Sequence, residues 1–192
     1  MAFRDSAKRF SQQSIRTRKL VTNAALIALH VVLCQIATIH IGNSLRITIS
    51  GITESVAGLL FGPLSGGLVG LLGSLLDQVI RYGLTVTTVL WIIPAGLKGL
   101  LCGWYAKAHA YDLNPLQIYW VLVVTAVIVT SVNTCSMIVD ATIFGYKTDA
   151  TVLAQMGIRY VNGALTSLAY MAVIAPLLRN LRRFPGIREM QE

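Results

Sequence analysis

The chain has 192 residues, of which 55% are hydrophobic and 12% charged, and its mean hydropathy is +0.66. Soluble domains carry about 25% charged residues, so this composition excludes a soluble globular domain, a disordered chain and a secreted disulfide scaffold. The 16 Lys and Arg against 8 Asp and Glu give a net charge of +8. Because the basic residues gather at the two chain ends, they fit the positive flanks of a membrane protein, not a nucleic-acid surface.

Residues 1–19 read as a polar, basic cytoplasmic tail. The apolar run after it is too long for a signal-peptide core, and no small-residue cleavage site interrupts it. A spanning helix needs roughly 20 mostly apolar residues. On that criterion the first span runs from Leu20 to about Ile39 and the second from about Ile47 to Phe61. The second is short and carries Thr48, Ser50, Thr53 and Glu54, which argues against lipid exposure along its whole length. Gly62-Pro63 then marks a tight reversal. The third span covers Leu64 to about Ile80, the fourth Thr88 to Lys107, the fifth Leu116 to Phe144 and the sixth Thr151 to Leu181. Residues 184–192 form a cytoplasmic C-terminal tail. The expected fold is an all-α membrane protein: a six-transmembrane-helix bundle over residues 20–183.

Orientation follows from Lys and Arg. Arg4, Lys8, Arg9, Arg16, Arg18 and Lys19 precede the first span, and Arg179, Arg182, Arg183 and Arg188 end the sixth. The opposite loops hold Arg46, Arg81 and Lys147. The positive-inside rule then gives N-in/C-in, a multi-pass protein of the cell membrane with both termini cytoplasmic.

Charges inside spans face a bundle interior or a wet cavity more often than lipid. They are Glu54, Asp77, Lys98, Asp140 and Arg159. Glu54 and Lys98 are a candidate structural pair, and Asp77 is placed to snorkel to water. Helical spacing puts Asn133, Met137 and Asp140 on one face of the fifth span, and Arg159, Asn162 and Thr166 on one face of the sixth. Thr88 opens the fourth span, with Trp91 one turn in. An aromatic plate beside donors and a cation suits a small-molecule pocket about 5–15 Å below the outer surface. The same spacing also fits polar interhelical contacts. Asn43, Arg46 and Tyr82 lie in loops able to cover such a pocket.

Gly62, Gly66 and Gly70 repeat every fourth residue, as do Ala24 and Ala28. Small residues on one face let helices approach closely in lipid. Cys34, Cys102 and Cys135 lack metal-ligand spacing and read as reduced core residues, so no metal site and no cofactor are expected. No phosphate-binding loop of the ATPase type occurs. Ser65 faintly suggests a membrane hydrolase, but no His is placed to activate it, so the chain is not read as an enzyme.

Arg18-Lys19-Leu20-Val21, Ala24-Ala25-Leu26-Ile27-Ala28-Leu29, the segment Ala57 to Gly70 (AGLLFGPLSGGLVG), Leu97-Lys98-Gly99-Leu100 and Val132-Asn133-Thr134 occur in this order. Together they resemble the S component, the substrate-binding subunit, of energy-coupling factor (ECF) vitamin transporters. The resemblance covers about Arg18 to Arg183. It implies a bilayer-embedded subunit that captures a vitamin outside and docks on a transmembrane coupling subunit with two ATPases. ATP hydrolysis there topples the S component and delivers its cargo inward. Ala24 and Ala28 match the family's docking motif. The implied substrate site comprises Arg46, Tyr82, Thr88, Trp91, Asn133, Met137, Asp140, Arg159 and Asn162, with Arg159 able to pair with a ligand carboxylate. The segments Arg46 to Gly51, Ala57 to Gly70 and Asn133-Thr134 look most like the folate branch, whereas the loop Arg81 to Thr88 lacks its Pro-Gly-Phe-rich character. Cobalamin, pantothenate or another micronutrient is the alternative cargo. The alternative mechanism is a self-contained ion-coupled transporter with Glu54 or Asp77 as proton site.

Overall fold

The computed structural model describes residues 2–41, 45–145 and 149–190, with side chains described from residue 12 except at 38–48, 146–156 and 185. The elements in order are α1 (Ala2–Ile36), β1 (Thr38–Ile41), β2 (Leu45–Thr48), α2 (Gly51–Phe61), α3 (Pro63–Tyr82), α4 (Thr88–Ala108), α5 (Pro115–Phe144), α6 (Asp149–Leu181) and α7 (Pro185–Glu189).

Two boundaries depart from the sequence expectation. Residues 2–19 are helical and form the opening turns of α1. No Gly or Pro occurs between Ala2 and Ile41, so nothing stops the helix at Lys19. It stops instead at Ile36, three residues before the expected end, because the β-branched run after it pairs as a strand. Thr38 lies opposite Thr48 and His40 opposite Arg46 in an antiparallel hairpin. That hairpin takes Ile47 and Thr48 from the expected second span, and α2 begins only at Gly51. With 11 residues, α2 is about 16 Å long, too short to cross a hydrocarbon core of about 30 Å. Among the described residues, five helices are long and apolar enough to cross, and α2 is a shorter apolar helix. Apart from the hairpin, the regular structure of the described residues is helical.

Asn23 donates to Ser65 Oγ at 3.2 Å and Gln35 to Asp77 Oδ1 at 2.9 Å, each pair 42 residues apart. The constant offset means that α1 and α3 run parallel, so the hairpin and α2 together carry the chain back across the bundle. One end of the bundle therefore gathers the hairpin and the α3–α4 loop. The other gathers the α2–α3 turn and both termini, where Lys19 Nζ donates to the Met190 carbonyl at 3.2 Å.

The α2–α3 turn requires Gly62, whose φ is +93°, followed by Pro63 in the first turn of α3. Beyond it, α2, α3 and α4 meet backbone to backbone. A Cβ on Gly58 or Gly66 would overlap the Gly99 carbonyl oxygen, and one on Gly70 that of Ala95. The four-residue glycine repeat thus serves close packing. Nearly all of α2 is buried. With Leu59, Leu60, Cys102, Leu122, Ile174 and Leu178 it forms a solid apolar core in the half of the bundle nearest the termini.

A candidate substrate cavity

Above that core the side chains turn polar and the packing opens. A cavity of about 410 Å³ lies between the helices, within the range of small-molecule pockets. All of α1 to α6 contribute to its wall. Five of the expected site residues, Trp91, Asn133, Met137, Arg159 and Asn162, line it together. A second chamber, sharing Trp91 and Gln78 with the first, is lined by Tyr82 and Asp140. Thr88 lines neither: it is buried, and its Oγ1 accepts the Thr85 backbone N–H at 2.8 Å, bracing the loop before α4. Arg46 belongs to β2, and its side chain lies outside the described residues, as does Asn43.

Trp91 is positioned by a local irregularity. Pro94 lies inside α4 and has no N–H for the carbonyl of Leu90. Ser136 of α5 supplies the missing donor, its Oγ lying 3.0 Å from that carbonyl. A proline in the wall is thereby tolerated, and α4 and α5 are locked together one residue from Trp91.

The floor is a buried polar cluster that helical spacing in one chain segment could not reveal. Glu54 of α2 is 4% exposed; its Oε1 lies 3.6 Å from Lys98 Nζ of α4, which confirms the expected pair. Lys98 Nζ also stands 4.4 Å from the centroid of the Tyr170 ring on α6, a cation–π contact. His30 of α1 reaches the same place, with Nδ1 3.7 Å from Glu54 Oε2 and 2.9 Å from Thr53 Oγ1. Its ring occupies the space that a side chain at Gly73 would fill. His30 had no carboxylate at helical spacing because its neighbour comes from another helix.

Asp77 does not snorkel. It is 5% exposed and accepts from Arg81 Nε at 2.8 Å, and Arg81 also donates to the Cys34 carbonyl. Near the opposite wall, Arg159 donates to the Met137 thioether at 3.3 Å. Ser65 accepts from Asn23 and is buried at the α1–α3 contact, a packing role. Among the described residues no cluster of His, Cys, Asp and Glu could hold a metal.

The helical bundle that holds this cavity shares its fold with solved S components of ECF transporters. The solved S component of a bacterial ECF transporter superposes with TM-score 0.64 at 18% identity, covering 86% of this chain and 98% of that one. The S component for biotin gives 0.63 at 17% identity over 92% and 97%. FolT bound with folic acid gives 0.57 at 17% identity over 79% and 89%. The chain belongs to the ECF-type riboflavin transporter S component family, which matches residues 14–183. Among curated relatives, a UPF0397 protein of Streptococcus pneumoniae is 42% identical over 55 residues, 28% of this chain and 29% of that protein. A UPF0397 protein of Streptococcus thermophilus is 27% identical over 105 residues, 55% and 56% of the two lengths. The chain thus aligns with about a third to a half of these relatives' own length.

Proposed function

We propose that this chain is the membrane-embedded substrate-binding subunit of an ECF-type transporter, capturing a vitamin-sized solute in the cavity between Trp91 and Lys98. The observation that carries the reading is the cavity itself: a polar chamber contributed to by α1 through α6, closed toward the termini by apolar core. The basic ends of the chain support a reading in which both termini are cytoplasmic. The chamber then opens outward in an N-in/C-in bundle of six passes, the hairpin and α2 together making the second. Transport requires a partner. Docking on a coupling subunit with two ATPases is assigned to α1, where Ala24 and Ala28 are exposed. A proton-coupled carrier is disfavoured, since Glu54 and Asp77 already face Lys98 and Arg81.

The names of the similar proteins point to riboflavin, folic acid and biotin, and folate is one of these three classes. The experiment is a thermal-shift panel of these vitamins, with cobalamin and pantothenate, on the purified protein. A ligand at a hundredfold excess over its Kd adds about 2.7 kcal/mol of stability, so a true cargo gives one clear upward shift. Native mass spectrometry then confirms a one-to-one complex. A panel without any shift rejects the vitamin-binding reading.

A further inference from the structure

The cavity floor holds a carboxylate oxygen that no donor among the described residues serves. Thr53 Oγ1 donates to the Ser50 carbonyl at 2.7 Å. A hydroxyl has one proton, so in the 2.9 Å contact with His30 it is Nδ1 that donates and Thr53 that accepts. The Nδ1 proton is therefore committed to Thr53 and withheld from Glu54 Oε2, 3.7 Å away. Lys98 faces the other oxygen, Oε1. Oε2 has no hydrogen-bond partner among the described residues, although Glu54 is 96% buried and lines the cavity. A buried anionic acceptor in contact with a cavity calls for a donor from whatever fills it.

The other pole is a cation. Arg159 lines the same cavity and carries five N–H donors. The partner described for it is the Met137 sulfur, a weak acceptor. Among the described side chains no carboxylate lies within ion-pair distance of it. The two poles lie at different depths. At 1.5 Å per residue, Arg159 stands about 16 Å along α6 from Tyr170 at the floor, and Trp91 about 10 Å along α4 from Lys98.

We infer that the cavity takes an elongated ligand bearing an N–H edge that donates to Glu54 Oε2 and, at its other end, a carboxylate or phosphate held by Arg159. The inference rests on the substrate-binding reading and deepens it. Folic acid and biotin carry both features, riboflavin carries the N–H edge without an anion, and riboflavin 5′-phosphate carries both.

The test titrates the purified full chain with folic acid, biotin, riboflavin and riboflavin 5′-phosphate by calorimetry. At least one anionic probe is expected to bind, and riboflavin to bind at least tenfold more weakly than its phosphate. Arg159→Gln lowers affinity for the anionic probe at least tenfold. Because Glu54→Gln alone leaves Lys98 unpaired, Glu54→Gln/Lys98→Met is the companion that keeps the floor neutral, and it too lowers affinity at least tenfold. Riboflavin binding tighter than its phosphate, or unchanged affinity in either variant, overturns the inference and leaves the substrate-binding reading standing. Failure of the wild-type protein to bind any of the four overturns the inference, and the substrate-binding reading falls with it only where cobalamin and pantothenate also give no shift in the vitamin panel.

Discussion

The hydroxyl of Ser136 on α5 donates across 3.0 Å to the Leu90 carbonyl on α4, the carbonyl that Pro94 leaves without a helical donor. Ser136 is buried, so water cannot replace it. Ser136→Ala is expected to cost about 1–3 kcal/mol, the penalty of an unmet buried acceptor. In a Pro94→Ala background the new N–H can bond Leu90 within α4, and the same serine change should cost much less. Denaturation of the four proteins in detergent checks this. Equal losses in both backgrounds would mean that the bond contributes nothing specific.

Gly66 and Gly67 are adjacent on α3 but face different surroundings. A Cβ at Gly66 would run into the Gly99 backbone, which cannot move aside, whereas one at Gly67 meets Leu100 Cβ at an ordinary 3.7 Å. Gly66→Ala is expected to destabilise by about 1–3 kcal/mol or more through overpacking. Gly67→Ala is expected to be neutral or to stabilise by up to about 1 kcal/mol, the helix propensity difference. Melting temperatures of the two variants decide it, and a loss of equal size in both would refute the backbone-contact account.

The contrast shows what the sequence made legible. Helix existence was plain from apolar length: α3, α4 and α5 begin and end within two residues of the expected spans. The glycine repeat indicated close packing, though not which partner helix supplied the contact. The start of α2 at Gly51 was hidden because the expected second span began at Ile47, whereas the β-branched Ile47 and Thr48 pair with Ile39 and Thr38 as a strand. Of the cavity lining, Asn133, Met137, Arg159 and Asn162 were readable, since they repeat at helical spacing. The floor was not. His30, Glu54, Lys98 and Tyr170 come from four different helices, and only the tertiary packing unites them.

Breaking the floor should be more harmful than removing it. Lys98 and Glu54 are both buried and separated by 3.6 Å. Removing one partner of such a pair strands a charge and costs about 3–5 kcal/mol, while an apolar or neutral replacement of both is often tolerated. Lys98→Met is thus expected to lower stability strongly, and Glu54→Gln/Lys98→Met to recover most of the loss. A double-mutant cycle by chemical denaturation measures this, and additive losses would show that the two groups do not interact.

Trp91 stands where the two chambers meet, half-buried and lining both. Removing its ring enlarges the cavity without opening the apolar core below. Trp91→Ala is expected to weaken binding of the identified cargo at least tenfold while the protein still purifies as a folded species. Calorimetry on the variant checks this, and wild-type affinity would remove Trp91 from the site.

Ala24 and Ala28 lie one turn apart on α1, and both are exposed, as are the neighbouring Leu20 and Val21. Neither methyl group is needed to fill the bundle, so bulk at these positions leaves the cavity intact. It does remove a smooth strip along which another helix could approach closely. Ala24→Trp or Ala28→Trp is therefore expected to abolish uptake in cells holding the coupling module while leaving ligand affinity within about twofold of wild type. Leu165→Trp on α6, also exposed, is the control for added bulk facing lipid. If transport survives both alanine substitutions, or fails equally in the Leu165 variant, the coupling subunit does not dock on this face of α1.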